Sequence, residues 1–465
     1  MTSIQPFEPQ SYRVIVFARE GPDVLLISRE AGLRLPEVTV PLGERITENL
    51  CLGMKKKWGQ EVVCLFELDS KASKDLENPV RYEVAEHWRV LGKLVAPAHW
   101  VSVRDLSQSS FADVSDHRAI EKSLAQCGAW AAEDAMGPFA RLGWFKDLCG
   151  WVQQEVAARG FQLNGNFRQL NASPSFSLIQ FETDGPAVWF KAVGEPNQHE
   201  FPITVLLARL FPRRLPQVLA IQPASNGWLA AEFEGIELSD AKDLRPWQTA
   251  AKELATIQIE SIAKTAQLLE TGVRDVRTAR LLTVIDPFLS RVDNLMATQV
   301  KVPPPVLTPS DLNLLRESIA DALGCIEECD FPNALGHLDP NPGNILVASN
   351  QCAFLDWAEA YVGHPFYTFE YLLEHFRRAR NTDEALQQQL TDAYVEKWKQ
   401  VLSPVVIAES LAVAPLLAAF VYAVALTRDS QRLQDPKTGA YLRSLARRMS
   451  REANQIVERR LQCRT

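Results

Sequence analysis

Gly336-His337-Leu338-Asp339-Pro340-Asn341-Pro342-Gly343-Asn344-Ile345-Leu346, followed by Phe354-Leu355-Asp356-Trp357, is the stretch on which the reading of this chain turns. Ile345 to Val347 reads as a short buried strand, Ala348 to Gln351 as a polar turn and Cys352 to Leu355 as the returning strand. A tight hairpin of this kind brings Asp356 back beside Asn344. One carboxylate and one amide oxygen can then share a hard cation such as Mg2+, which prefers oxygen ligands. Asp339 precedes Asn344 on the same loop, where it can accept a hydrogen bond from a substrate hydroxyl.

Kinase-type phosphoryl transfer needs these parts, because its loose transition state leaves the protein mainly positioning and charge neutralisation to supply. The loop resembles that of the aminoglycoside phosphotransferase and choline-kinase-like family, His-x-Asp-x-x-x-x-Asn followed by an apolar-apolar-Asp-Trp segment. His337, Asp339, Asn344 and Asp356 match it. The resemblance implies an α+β chain with a bilobal protein-kinase-like fold and with ATP and Mg2+ as cofactors. Asp339 would orient the hydroxyl, Asn344 and Asp356 would hold the metal, and His337 would support the loop. The plainer reading is a hairpin with an Asp-Pro turn, in which four polar positions meet the pattern by accident.

Upstream, Ala187-Val188-Trp189-Phe190-Lys191-Ala192 reads as an apolar strand ending in a lysine, and a helix-like segment follows from about Gln198 to Leu210. In the resembled family such a lysine contacts the α- and β-phosphates and pairs with a glutamate on the next helix, here Glu200. Val205, Leu206, Ala208 and Leu210 give that helix a buried face. A lysine at a strand end is otherwise an ordinary solvated terminus. Asn171 to Gln180 reads as two strands joined by a polar turn and lacks the Gly-x-Gly-x-x-Gly of protein kinases. Amides and the hydroxyls of Ser173, Ser175 and Ser177 can still line phosphates, and a plain surface hairpin fits as well. Gly227 to Gly235 is a strand running into an acidic turn. By resemblance it is the last small-lobe strand and the hinge, and the backbone of Glu232, Phe233 and Glu234 would meet the adenine.

The chain departs from the family after Asp356. Relatives often show Gly-Asp-Pro and then a further Asp, where this chain has Gly363-His364-Pro365-Phe366-Tyr367-Thr368. Thr368 is expected to replace the Asp as a helix N-cap. His364 is given no catalytic role, since such a histidine more often caps or packs.

The chain has 465 residues, nearly half of them apolar, which is enough for two or three domains. A formal net charge of −8 with interspersed signs argues against a general nucleic-acid binder. Eight scattered cysteines without a Cys-x-x-Cys pair, and a polar first ten residues with two prolines, suit reduced thiols in a cytoplasmic protein. Ser410 to Thr427 is uncharged, but Glu409 and Arg428 bracket it and Pro415 interrupts it. A buried large-lobe helix is expected there, not a membrane span. Leu442 to Arg460 reads as an amphipathic helix with a solvated basic face.

In the first 125 or so residues, Arg13 to Phe17 and Val24 to Ser28 read as strands joined by a Gly-Pro-Asp turn. A helix around Glu48 to Trp58 and a strand from Glu61 to Phe66 follow. The order resembles a Nudix fold of α/β/α layers, whose box would occupy about Val38 to Gln60. With Gly59 fixing the register, Glu44 takes one acidic position, while Gly53, Lys56 and Lys57 fall where metal-binding glutamates belong. Lysine cannot coordinate a cation, so a Nudix domain here would not be a working hydrolase. An unrelated α+β module remains open.

The expected organisation is a Nudix-like domain at 1–128, a connecting helix region at 129–150, a small lobe at 151–235 onto which a helix around Trp144 and Trp151 packs, and a helical large lobe at 236–465. The expected activity is ATP-dependent transfer of phosphate to a small-molecule hydroxyl acceptor, with no nucleic acid or membrane as partner. The alternative is a regulatory or scaffolding protein that binds nucleotide without transferring phosphate.

Overall fold

A computed structural model describes residues 9–19, 23–68, 80–91, 94–95, 97–128, 137–349, 351–380, 383–427 and 435–462. The expected turn through Gly21 and Pro22, most of the polar first ten residues, Arg428 and Cys463 lie outside them. The chain divides into two compact units, residues 1–201 with 217–232, and residues 202–216 with 233–465.

The first unit opens with a seven-stranded mixed sheet. Its strands are β1 (Gln10–Phe17), β2 (Asp23–Arg29), β3 (Gly32–Arg34) and β4 (Glu37–Val40), then, after helix α1 (Ile46–Trp58), β5 (Gln60–Leu68), β6 (Arg81–Val90) and β7 (Ala98–Ser102). β1 runs parallel to β6, with Ile15 opposite Val84, and antiparallel to β2 and β4. Side chains alternate across a strand, so Val14, Val16, Val62 and Cys64 meet Leu50, Met54 and Trp58 of α1 on one face. Ile15, Phe17, Val63, Leu65 and Val84 line the other face, where α2 (Val114–Gly128) contributes Ile120. Gly59, at φ +66°, ends α1 in the left-handed conformation that glycine adopts without strain. Gly53 packs so tightly on β4 that a Cβ there would stand 2.4 Å from Val38 Cγ1. Glu44, Lys56 and Lys57 are exposed, and Lys57 Nζ donates to the Glu37 carbonyl.

A second, antiparallel sheet follows in the same unit: α3 (Trp144–Ala157), β8 (Leu163–Ser173), β9 (Phe176–Thr183) and β10 (Val188–Val193), then the start of α4 (Glu200–Leu210), β11 (Val218–Gln222) and β12 (Gly227–Ala231). Its strand order is β11-β12-β10-β9-β8. Phe145, Leu148, Val152 and Val156 of α3 bury against Ile179, Phe181, Val188, Phe190 and Leu229, in the same core that holds Ile15 and Val84. Segments 1–128 and 151–235 therefore share one core up to residue 232. Gln169 of β8 ties the sheets directly. Its side-chain amide donates to the Cys64 carbonyl at 2.9 Å and accepts from the Cys64 N–H at 2.8 Å, fully buried. Arg168 adds an ion pair to Glu48 of α1 at 2.6 Å.

The second unit takes the rest of α4 and then β13 (Ile236–Glu237), α5 (Leu244–Ser261), α6 (Thr265–Glu270), β14 (Arg274–Val276), α7 (Thr278–Leu282), α8 (Ile285–Ala297), α9 (Pro309–Glu328) and β15 (Ala334–His337). β16 (Ile345–Val347), β17 (Cys352–Phe354), β18 (Ala360–Gly363), α10 (Phe366–Arg380), α11 (Glu384–Trp398), α12 (Pro404–Leu426) and α13 (Pro436–Gln462) complete it. Two three-stranded sheets, β13-β16-β17 and β14-β18-β15, sit among the helices. Among the described residues α12 is the one helix long and apolar enough to cross a membrane. Its Leu416, Leu417, Phe420 and Ala423 are fully buried in the core of this unit, and Pro415 lies inside the helix.

Candidate active site

Two sets of polar side chains stand out, one in each unit. In the second unit, β15 delivers the backbone to His337 and β16-β17 forms the hairpin, with Ile345 opposite Phe354 and Val347 opposite Cys352. The hairpin closes at its root where the Leu355 N–H donates to the Asn344 carbonyl at 2.8 Å, which places Asp356 beside Asn344. Between the strands, Asn341 caps a short 3-10 turn, its Oδ1 accepting from the Gly343 N–H at 3.0 Å.

Asp339 is exposed and Asn344 half-buried. Asn344 Nδ2 donates to Asp339 Oδ2 and to the Asp339 carbonyl, both at 3.3 Å. The donor side of the amide is thus turned to Asp339, leaving Oδ1 as the oxygen available to a cation. Asp356 is also exposed and sits at φ +61° and ψ 59°. A non-glycine residue in that region costs about 1 kcal/mol or more. The hairpin holds it there, and Trp357, locked by Nε1 donating to the Phe354 carbonyl at 3.1 Å, follows at once. A carboxylate and an amide oxygen, both hard donors, fit Mg2+, which takes one or two protein oxygens and completes its shell with water and phosphate.

His337 holds these pieces together and is itself 3% exposed. Its Nδ1 accepts from the Asp339 N–H at 3.0 Å, so the proton is on Nε2, which donates to the Leu355 carbonyl at 3.0 Å. Burial lowers its pKa, outweighing the nearby acids, and keeps the ring neutral, the form this bonding requires. The histidine therefore fixes Asp339 on one side and the residue before Asp356 on the other.

Thr368 is not the helix N-cap expected from sequence. α10 already begins at Phe366, whose N–H donates to His364 Nδ1 at 3.2 Å, so Thr368 lies inside the first turn. Its buried hydroxyl accepts from the His337 N–H at 2.8 Å and pairs with the Tyr361 hydroxyl at 3.0 Å. His364 packs its ring on Phe331 with centroids 4.1 Å apart and on Phe366 and Tyr367. Burial pushes its pKa down from 6.5 to about 3. The unfolded chain accepts a proton there below its ordinary pKa while the folded chain refuses it, so this residue lowers stability as pH falls from about 6.5 toward 3. In thermal melts at about pH 7.5 and about pH 5, His364→Asn is expected to lose less stability on acidification than the parent. An equal loss in both contradicts the assignment.

In the first unit, Lys191 Nζ stands 2.6 Å from Glu200 Oε1, with side-chain exposures of 13% and 2%. Buried ion pairs are weak sources of stability, so a pair held this way points to use more than to support. The sheet face around it carries Phe176 and Trp228, whose ring centroids lie 5.5 and 5.6 Å from the ammonium. Further along this face, Trp189 Nε1 and Gln180 Nε2 both donate to Glu232 Oε2. The Glu232 N–H donates to the Ala187 carbonyl at 3.2 Å, so of the three expected hinge positions this amide is already engaged in the sheet. Phe233 and Glu234 follow in the second unit, half-buried and exposed respectively. Among the expected phosphate-loop hydroxyls, Ser173 accepts from the Ser175 N–H at 3.3 Å and Ser177 is fully buried.

Sequence reasoning missed Glu237. It lies on β13, paired with β16 of the hairpin, where a Cβ on Gly343 would be 3.7 Å from its Oε2, and Ser239 Oγ donates to it at 3.2 Å. The two-residue strand after Gly235 is too short to show a period, so nothing marked it. Phe176, Trp189 and Trp228 share one face with Lys191, and strand alternation about the lysine would have found them.

Residues 198–401 match the model of the phosphotransferase enzyme family. That span includes Glu200, Glu232, Phe233, Glu234, His337, Asp339, Asn344 and Asp356, and begins after Lys191. A search of the curated proteins finds no match. Among solved structures, the macrolide 2'-phosphotransferase of Brachybacterium faecium is 18% identical, with 64% of this chain covering 96% of that one at a TM-score of 0.41. A choline kinase from Streptococcus pneumoniae is 12% identical, covering 65% and 99% at 0.42. A Plasmodium vivax ethanolamine kinase is 13% identical, covering 70% and 93% at 0.45.

Proposed function

We propose, from a C-terminal region that carries the phosphotransferase-family match, that this chain moves the γ-phosphate of ATP to a hydroxyl of a small molecule. The observation that carries the reading is the loop in which His337 fixes Asp339 and the approach to Asp356 at once, with Asn344 bonded to Asp339. Asp339 accepts the hydrogen bond of the acceptor hydroxyl and orients its oxygen for in-line attack. Asn344 and Asp356 would hold Mg2+, which when bound neutralises the charge on the phosphates. Lys191, held by Glu200, donates to the α- and β-phosphates, and the backbone from Glu232 to Glu234 borders the adenine.

The second reading, a nucleotide-binding regulator without transfer, draws on the glycine-poor turn at Pro174 and Ser175. Asp339 weighs against it, since a pure binder does not need a hydroxyl-orienting carboxylate. Residues 1–128 fit a Nudix-like module without hydrolase activity. Gly53 has no room for a carboxylate, and Lys56 and Lys57 carry the wrong charge for a metal. ATP turnover measured with amino-sugars, amino-alcohols and sugars tests the proposal. Acceptor-dependent ADP release, lost on chelating Mg2+, is expected with at least one class. Mg2+-dependent hydrolysis without any acceptor that survives both Asp339→Asn and Asp356→Ala would favour Nudix-type chemistry in residues 1–128 instead.

A further inference from the structure

The turn beside Lys191 is unlike a flexible phosphate flap. Ser173 of β8 pairs with Phe176 of β9, so only Pro174 and Ser175 form the turn, and proline removes one of the amide donors such a loop would use. The turn is gripped from two sides. On one, the Gly194 N–H donates to the Ser175 carbonyl. On the other, Gly137 lies so close that a Cβ there would stand 1.9 Å from the Pro174 carbonyl oxygen and 2.6 Å from its carbon. Gly137 has φ +130°, a conformation that residues with side chains rarely adopt.

Gly137 is not a loose end. The next residues, Phe139, Ala140 and Leu142, are buried in the core shared with β1 and β6. Phe139 packs edge-on against Trp144 with centroids 5.4 Å apart. The Gly143 N–H donates at 2.7 Å to Glu86 of β6, which is 1% exposed. A continuous line of contacts therefore runs from β6 of the first sheet, through this connector, to the turn. Phe176, the first residue after the turn, carries the line to the Lys191 ammonium.

The geometry points to Gly137 as a positioning residue for phosphate binding. By admitting the Pro174 carbonyl where any side chain would stand, it seats the turn and with it the Phe176 ring over Lys191. The affinity for the nucleotide's phosphates then depends on a connector anchored in the amino-terminal sheet. This inference rests on the reading of Lys191 as a phosphate ligand.

Calorimetry on the full-length protein, with Mg-ATP and with adenosine as probes, tests it. Gly137→Ala displaces the turn, and Phe176→Leu removes the ring while leaving the backbone of the turn alone. Each is expected to weaken Mg-ATP by about tenfold and adenosine by less than about twofold, because only the phosphate end is disturbed. Lys191→Met is expected to weaken Mg-ATP at least as much. Equal weakening of both probes in Gly137→Ala and Phe176→Leu means general damage and overturns the inference. So does unchanged Mg-ATP affinity in Phe176→Leu and in a folded Gly137→Ala, and if Lys191→Met is weakened at the same time, the role of that lysine survives alone. Parent-like Mg-ATP binding by Lys191→Met overturns both.

Discussion

Asp339→Asn is expected to reduce phosphate transfer by about 1000-fold, the scale on which a positioned acid-base group contributes, while leaving the fold and nucleotide binding intact. The side chain is exposed, and among the described hydrogen bonds its carboxylate is engaged by Asn344 Nδ2 at 3.3 Å. The loop is held by other atoms, chiefly the Asp339 N–H on His337 Nδ1 and the Leu338 N–H on the Glu359 carbonyl at 3.0 Å. An amide of the same size keeps those bonds and loses the negative oxygen proposed to accept the hydrogen bond of the acceptor hydroxyl. Rapid-quench measurement of ADP formation with a saturating acceptor reads the rate, and unaltered Mg-ATP affinity by calorimetry shows that binding survives. A rate within a few-fold of the parent would remove Asp339 from the chemistry and leave the nucleotide-binding regulator as the better reading.

Gly336→Ala should have the largest effect on the fold of the site. Gly336 lies opposite Tyr361 across β15 and β18, and its face is filled by the tyrosine ring. A Cβ there would be 2.0 Å from Tyr361 Cζ and 2.4 Å from its hydroxyl oxygen. The ring has nowhere to go, being fully buried and bonded through its hydroxyl to the His364 carbonyl and Thr368. Overpacking of this kind costs roughly 1–3 kcal/mol and at times more. Here the displaced hydroxyl also loosens Thr368, whose oxygen holds the His337 N–H, so the strain reaches Asp339. The variant is expected to melt roughly 1–3 °C lower, as a loss of roughly 1–3 kcal/mol implies for a chain of this size, and to lose turnover beyond what the lost stability explains. A parent-like melt would mean that Tyr361 and Thr368 do not fix this loop as described.

The hairpin was legible because strand periodicity and polar spacing coincide in it. Three apolar residues, a polar turn and three more leave one register for Asn344 and Asp356. The Lys191–Glu200 pair was legible through the family resemblance and the order of a strand lysine before a glutamate at a helix start, although Lys191 lies within β10 and not at its end. Thr368 was misread because a threonine near a helix start serves equally as a cap or as an internal acceptor, and where α10 begins is decided by the His364 ring three residues after Tyr361. The contact of Gly137 with Pro174 carried no signal, since close approach of two backbones leaves no pattern in either segment. The same holds for Gln169, whose pairing with Cys64 joins residues 105 apart in sequence. A side-chain amide that completes a distant strand cannot be told from a surface glutamine by composition.

The proposed site requires a metal-bound nucleotide. Titration calorimetry of ATP with and without Mg2+, on the parent and on Asp356→Ala, tests it in one experiment. The parent is expected to bind ATP with Mg2+ at least about tenfold more tightly than without, and Asp356→Ala to lose that gain while its melt stays near the parent value, since an exposed carboxylate in a strained conformation contributes little to folding. An Asp356→Ala protein that binds Mg-ATP as tightly as the parent would contradict the metal site, and with it the claim that this loop transfers phosphate.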